Sequence, residues 1–159
     1  NLTINDSSFH QNYATSSSGG AISVDETSDI SLLDSIFKMN SASFGGAVAA
    51  KCPNLRITGG SFVGNWANTG GGIYTQEAVA SHLEKIIALG NEANATANAQ
   101  GGFAYFNTGS LGSKFINCVI VGNKSLSRNG VFRPKGATHF INCTIVNNEA
   151  ASEGGVTLL

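Results

Sequence analysis

The sequence has few charged residues and nothing that directs it to nucleic acid or into a membrane. Aspartate, glutamate, lysine and arginine make up only 12% of its 159 residues, and the formal net charge is -1. Proteins that bind nucleic acid through charge carry a basic excess, which this composition does not provide. No apolar run approaches the roughly 18 residues that a membrane-spanning helix needs. We therefore expect no nucleic-acid partner and no transmembrane segment.

Proline and cysteine are also scarce, whereas glycine is abundant. The chain has 2 prolines and 3 cysteines against 20 glycines. This composition is typical of many short strands joined by turns rather than of long helices. The cysteines cannot all pair within one chain, and no C-x-x-C spacing indicates zinc or redox chemistry. We expect a single domain over residues 1–159, as part of a longer array or of a polymer, with no metal and no cofactor.

A degenerate motif recurs six times along the chain. Each copy has an aromatic or aliphatic anchor, then Asn three residues later, then Ala or Ser two residues after that, as in Phe9-His10-Gln11-Asn12-Tyr13-Ala14. The asparagines are Asn12, Asn40, Asn65, Asn91, Asn123 and Asn148, so the copies are spaced by 28, 25, 26, 32 and 25 residues. This period is typical of one solenoid turn. The sequence therefore predicts an all-β, right-handed parallel β-helix of about six coils, at approximately residues 1–28, 29–53, 54–80, 81–111, 112–137 and 138–159.

Alignment on the anchors produces further columns. Five positions before each anchor the residue is apolar: Ile4, Leu32, Ile57, Leu83, Phe115 and Phe140. Three positions before it lies a turn residue in five copies, Asp6, Asp34, Gly59, Asn117 and Asn142, with Lys85 as the exception. These columns predict inward side chains and an asparagine ladder in which each amide bonds its own turn and the Asn one coil away.

Two departures from the repeat carry predictions of their own. Ala88 replaces the phenylalanine anchor, which predicts a gap in the core of the fourth coil. The longest gap between motif and glycine doublet, residues 92–100, predicts a surface loop. The Gly-Gly doublets serve either unusual backbone angles or close packing.

Two outward rows are candidate functional surfaces. Six positions before the anchors, four consecutive coils carry the basic stripe Arg56, His82, Lys114 and His139, which is either a site for an acidic glycan or a solvated sheet face. Beside the later anchors lies the apolar row Ile87, Leu89, Val119, Val121 and Val146. Contiguous exposed apolar residues usually mark an interface, so we expect this row to be covered by another molecule.

The combination of F-x-x-N with G-G-A-[ILV] resembles the repeats of the chlamydial polymorphic outer membrane proteins. It is complete in the first two copies, Phe9 with Asn12 and Gly19-Gly20-Ala21-Ile22, then Phe37 with Asn40 and Gly45-Gly46-Ala47-Val48. The resemblance covers essentially the whole chain, although later copies replace phenylalanine. It implies an exported β-helix at the cell surface or outside the cell, where such repeats occur in adhesins.

Two functional hypotheses follow. The first is a non-catalytic exported structural or adhesive module that joins copies of itself, as a filament through its uncapped ends, or binds a cell-surface or matrix partner. The second is a glycan-binding or polysaccharide-degrading β-helix that uses the basic stripe. Lyases and hydrolases need acids or a cationic base gathered on one outer strand, and the stripe contains no carboxylate. We therefore expect no enzyme activity.

The remaining candidate sites are minor. Asp25, Glu26 and Asp29 form an acidic segment that could bind calcium or be solvated. Cys118 and Cys143 share one inward column, as a disulfide or as reduced thiols. Asn94 and Asn142 are candidate glycosylation sites, whereas Asn123 lies in an acceptor motif but is expected inside.

Overall fold

The computed structural model shows an all-β parallel solenoid of about five turns. The structure describes residues 1–25, 29–76, 80–95, 99–107, 112–128, 130–133, 136–152 and 154. These residues contain 22 strands and no helix. The prediction of a parallel β-helix is confirmed.

The strands are short and closely spaced along the chain. The first eleven are β1 (Leu2–Asn5), β2 (Ser8–His10), β3 (Ile22–Asp25), β4 (Ile30–Leu33), β5 (Ile36–Lys38), β6 (Ser41–Phe44), β7 (Val48–Lys51), β8 (Asn54–Thr58), β9 (Ser61–Val63), β10 (Trp66–Thr69) and β11 (Ile73–Thr75). The others are β12 (Ala80–Glu84), β13 (Ile87–Leu89), β14 (Glu92–Ala93), β15 (Ala104–Phe106), β16 (Ser113–Ile116), β17 (Val119–Val121), β18 (Lys124–Ser125), β19 (Phe132–Arg133), β20 (Thr138–Ile141), β21 (Thr144–Val146) and β22 (Glu149–Ala150).

Each strand pairs in parallel with a strand one turn away, which gives four sheets. Sheet A is β1-β4-β8-β12-β16-β20, sheet B is β2-β5-β9-β13-β17-β21, sheet C is β6-β10-β14-β18-β22 and sheet D is β3-β7-β11-β15-β19. The register places like positions opposite each other, for example Ile4 against Leu32 and Phe9 against Phe37. Because neighbouring strands lie about 4.8 Å apart, each column of the sequence becomes a physical ladder.

A phenylalanine stack forms one side of the core. The ring centroids of Phe9 and Phe37 lie 5.0 Å apart, and those of Phe37 and Phe62 lie 4.8 Å apart. Phe62 is fully buried and is paired in register with Phe37 and Ala88, as the alignment predicts. Burial of such a side chain contributes about 3 kcal/mol through the hydrophobic effect alone.

The gap beside Ala88 stays a prediction, and Phe103 adds a ring to the core of the same coil. Phe103 is fully buried, and its ring meets that of Phe62 edge-on, with centroids 5.6 Å apart. A Cβ atom on Gly72 would lie 2.8 Å from the Phe103 ring, so glycine leaves the space that this ring occupies. This coil thus has a small side chain at Ala88 and a large buried one at Phe103, and Gly72 of the preceding turn has no side chain where it lies against the Phe103 ring.

Two ladders of left-handed residues form the corners on either side of sheet B. Between sheets A and B the φ angles are positive at Asp6, Asp34, Gly59, Lys85, Asn117 and Asn142. Lys85, the exception in residue type, has the same backbone geometry, with φ at 55°. The corner after sheet B is formed by Gln11, Met39, Gly64, Gly90, Gly122 and Asn147, all with positive φ. This second ladder is not evident from its residue types, because left-handed geometry costs a residue such as Met39 about 1–2 kcal/mol.

The asparagines follow directly after the second corner and form a continuous hydrogen-bonded ladder. Asn40 Oδ1 accepts from both the backbone N–H and Nδ2 of Asn12, at 3.0 and 2.9 Å. Asn40 Nδ2 donates to Asn65 Oδ1 at 3.0 Å and to the carbonyl of Phe9 at 2.9 Å. The same pattern links the remaining members, Asn65, Asn91, Asn123 and Asn148.

The backbone partners of the ladder differ from the expected ones. The amides were predicted to bond their own turns, whereas they mostly bond backbone atoms of the preceding turn. Only Asn123 also donates to its own turn, to the carbonyl of Val121 at 3.2 Å. Each interior amide therefore joins neighbouring turns to one another, and it does so with all of its hydrogen-bonding atoms.

The glycine doublets serve both of the functions considered for them. Gly45 has φ at +62°, a conformation that glycine adopts without cost. A Cβ on Gly46 would lie 2.2 Å from the carbonyl oxygen of Gly71, so the backbones of adjacent turns approach too closely there for any side chain. The expected loop at 92–100 is wrong at its start, because Glu92–Ala93 is strand β14.

Candidate functional site

A groove of about 560 Å³ runs across the strands on the outer face of sheet A. Small or polar residues at the starts of the strands line one side, among them Asp29, Asn54 and Gly112. The other side is lined by Ser31 followed by the four residues of the basic stripe. The groove is thus built from two outward columns of the repeat.

The structure places the basic stripe on four successive strands. Arg56 pairs in register with His82, His82 with Lys114, and Lys114 with His139. Arg56, Lys114 and His139 are exposed, and His82 is half-buried. Because in-register residues of neighbouring parallel strands point to the same face, these side chains share one face of sheet A at intervals of about 4.8 Å.

Two carboxylates that the sequence analysis did not assign to this face lie beside the stripe. Glu84 Oε2 lies 3.6 Å from His82 Nε2, and its other oxygen lies 3.6 Å from Lys85 Nζ. Asp29 Oδ1 accepts a hydrogen bond from Asn54 Nδ2 at 2.8 Å. His82 Nε2 is buried and lacks a hydrogen-bond partner, since 3.6 Å exceeds hydrogen-bond length. Glu84 could have been found by noting that it lies two residues after His82 on the same strand.

The apolar row lies on the outer face of sheet B. Ile87, Leu89, Val119 and Val146 expose 43%, 37%, 38% and 44% of their surface, whereas Val121 is half-buried. Ile36 belongs to the same column as Ile87 and is 43% exposed. The apolar surface therefore reaches one turn further toward the N terminus than the sequence indicated, although Ser61 interrupts it.

Sheet D carries an aromatic ladder that the sequence analysis missed. The rings of Tyr74 and Tyr105 stack with centroids 5.4 Å apart, and Phe44 packs against Tyr74 at 5.1 Å. The Arg133 guanidinium lies over the Tyr105 ring and donates to its hydroxyl. Burial raises the pKa of the Tyr74 hydroxyl above its ordinary value. Each face of the Tyr105 ring has a neighbour, so this ring stabilises the solenoid rather than offering a free face, whereas Phe44 at the end of the ladder is exposed.

The cysteines are reduced in the structure. Cys118 is buried and donates to the carbonyls of Ile116 and Leu83 at 3.3 and 3.5 Å, while the half-buried Cys143 donates to Phe115 at 3.3 Å. Burial raises the pKa of the Cys118 thiol to about 11. Cys52 is also buried and belongs to the core.

The other minor sites have different placements. Glu26 of the acidic segment lies outside the described residues, and the described ones contain no cluster of three or more metal-binding side chains. Asn94 is half-buried and Asn142 is exposed, whereas Asn123 is fully buried in the asparagine ladder.

The surface of the chain offers two outward rows of side chains that a partner can contact. Within the part of the chain that the structure describes, no helix is long and apolar enough to cross a membrane. The chemistry that the surface offers is a row of cations in a groove on one face and a row of aliphatic side chains on the next. Searches against protein-family models, curated proteins and solved structures find no match to this chain.

Proposed function

We propose that this chain is a non-catalytic adhesive module of an exported protein, which binds acidic glycans in the groove of sheet A. The basic stripe on four successive strands carries this proposal. An extended polymer lying across the strands would meet one cationic or titratable side chain every 4.8 Å or so. That arrangement suits a ligand with repeating acidic groups better than a compact one.

The proposal includes the handedness and the number of coils: a right-handed β-helix of six coils. Parallel strands joined by a crossover are right-handed in about 98% of cases, and the six asparagines of the ladder mark one coil each. The resemblance to surface-exposed repeat proteins supports export. A solenoid that presents a long, regular face is well suited to holding an extended polymer.

The carboxylates in and beside the groove, Asp29 and Glu84, favour binding over cleavage. A glycoside hydrolase needs two carboxyl groups that face the scissile bond from opposite sides. Here Glu84 faces His82 and Lys85, and Asp29 is hydrogen-bonded to Asn54. Both acids are thus already engaged with neighbours on the protein.

Binding to polygalacturonate at low ionic strength tests this proposal. We expect the chain to bind polygalacturonate and not its fully methyl-esterified form. The double variant Arg56→Gln/Lys114→Gln should bind several-fold more weakly, because surface ion pairs contribute up to about 1 kcal/mol each. Lys38→Gln/Arg128→Gln removes the same charge elsewhere and should leave binding unchanged. If both double variants bind like the original chain, the groove is not the site. Release of unsaturated or reducing sugar ends would contradict a non-catalytic role.

A second candidate function is self-association through the apolar row. Exposure of Ile87, Val119 and Val146 favours it. However, three residues by six strands cover only about 10 by 24 Å, well under the roughly 800 Å² per partner of a standard interface. We therefore expect weak, reversible association, measured by light scattering, that Val119→Thr/Val121→Thr reduces. A chain that stays monomeric at the highest attainable concentration would contradict this candidate.

A further inference from the structure

The basic stripe alternates permanent and titratable cations. Arg56 and Lys114 are charged at any physiological pH, and each is followed on the next strand by a histidine. Histidine is the side chain whose charge ordinarily changes between pH 5 and 8. Two of the four residues of the stripe are therefore of this type.

The charge of the groove depends strongly on these two imidazoles. The lining contains two permanent cations, Arg56 and Lys114, and one carboxylate, Asp29, so its formal charge is +2 − 1 = +1 with neutral histidines. Protonation of His82 and His139 raises it to +3. The other charged groups against the stripe are Glu84, which lies 3.6 Å from both His82 and Lys85, and Lys85 itself, which is largely exposed.

Both histidines are placed where an imidazolium can interact with an acidic group. His139 is exposed on the outer face of sheet A, where an imidazolium can meet a ligand directly. His82 Nε2 is buried and lacks a hydrogen-bond partner, and it lies 3.6 Å from Glu84 Oε2, so that carboxylate attracts an imidazolium at this position electrostatically.

We propose that the groove binds linear polyuronates in a proton-dependent manner, with His82 and His139 supplying the second half of its cations. This inference rests on the proposed function, because it concerns the same groove. Carboxyl groups ionise near pH 4, so the ligand keeps its charge while the histidines gain theirs. With both protonated, cations lie on four successive turns, and the fitting ligand carries an acid on each successive sugar rather than at wide intervals.

The experiment measures the dissociation constant for polygalacturonate at about pH 5.5 and pH 7.5, on either side of the usual histidine range. We expect binding about tenfold tighter at the lower pH, the ratio that two surface ion pairs of ordinary strength supply. His82→Gln/His139→Gln should bind weakly at both pH values. His82→Lys/His139→Lys should bind tightly at both. His10→Gln removes the only other histidine, on sheet B, and should behave like the original chain.

The outcomes separate this inference from the proposed function. Binding that is equal at both pH values, or a pH dependence that survives in His82→Gln/His139→Gln, overturns proton dependence and leaves glycan binding intact. Absence of binding at both pH values in every variant, including the lysine one, overturns the proposed function itself. Equal affinity for a polysaccharide with widely spaced acids would overturn the choice of polyuronates.

Discussion

Replacement of Asn40 with aspartate should destabilise the protein more at neutral pH than replacement with serine. The Asn40 side chain is fully buried, and its Nδ2 donates to Asn65 Oδ1 and to the Phe9 carbonyl at 3.0 and 2.9 Å. In Asn40→Asp a carboxylate oxygen faces both of these oxygens. Burial and the two facing acceptor oxygens favour the protonated acid and outweigh the two bonds donated by Asn12 to the other oxygen, so the pKa of the introduced carboxyl is raised in the folded state.

The magnitude follows from the cost of that protonation. Holding a carboxyl with an ordinary pKa near 4 in its neutral form at pH 7 costs about 4 kcal/mol, at 1.36 kcal/mol per pH unit. The neutral acid has one donor where the amide had two, which adds about 1 kcal/mol for the lost hydrogen bond. We expect Asn40→Asp to lower the unfolding free energy by about 5 kcal/mol at pH 7, and Asn40→Ser by about 2–3 kcal/mol through lost bonds alone.

The pH dependence distinguishes the two variants. A folded-state pKa above the unfolded one means that the stability is present at low pH and is lost as pH rises from about 4 toward 7. Urea unfolding followed by circular dichroism at pH 4.5 and pH 7 should show Asn40→Asp recovering most of its deficit relative to the original chain, and Asn40→Ser none. Equal stability of the variants at pH 7, with no relative change on acidification, would refute the buried ladder.

Further predictions concern packing, thiols and glycosylation. Phe62→Ala should lower the unfolding free energy by about 3–5 kcal/mol, and a loss under 1 kcal/mol in urea titrations would place that ring outside the core. Gly72→Ala should be destabilising by about 1–3 kcal/mol, since its Cβ meets the Phe103 ring, and an unchanged midpoint would contradict that contact. Cys118 should resist iodoacetamide at pH 8.5 until urea unfolds the chain, because its pKa of about 11 leaves little thiolate. In a glycosylating host, mass spectrometry should find no glycan at Asn123, whose amide is used in the ladder.

The sequence predicts the fold well because each turn of the solenoid mainly contacts the neighbouring turns, which carry the same motif. Phe9, Phe37 and Phe62 meet one another, so the period and the inward columns can be found by aligning the chain with itself. The basic stripe was found in the same way, as one column of the alignment. Aligning the chain with itself does not show which residues of different columns contact each other.

Apart from the in-register stack of Tyr74 and Tyr105, the features that were missed involve such contacts or backbone geometry. Phe103 lies just before β15 and packs against Phe62 of sheet B, and no repeat rule connects those two positions. Met39 adopts left-handed geometry that its side chain does not favour, because it occupies a corner whose equivalents are mostly glycine or polar. Glu84 was not assigned to the face of the basic stripe because it belongs to a different outward column from His82.

The asparagine ladder also gives the solenoid an electrical direction. The side-chain carbonyls of Asn40, Asn65, Asn91, Asn123 and Asn148 all accept from the turn before them. Five amide dipoles thus point the same way along the axis, and each polarises the next, so that a chain of such bonds is stronger than the separate pairs. An interior amide is polarised from both sides, whereas a terminal one is polarised from one side only. The same substitution should therefore cost more at Asn65, whose Nδ2 donates to Asn91 Oδ1 and to the Phe37 carbonyl, than at Asn148, whose Nδ2 donates to the Ile120 carbonyl among the described residues.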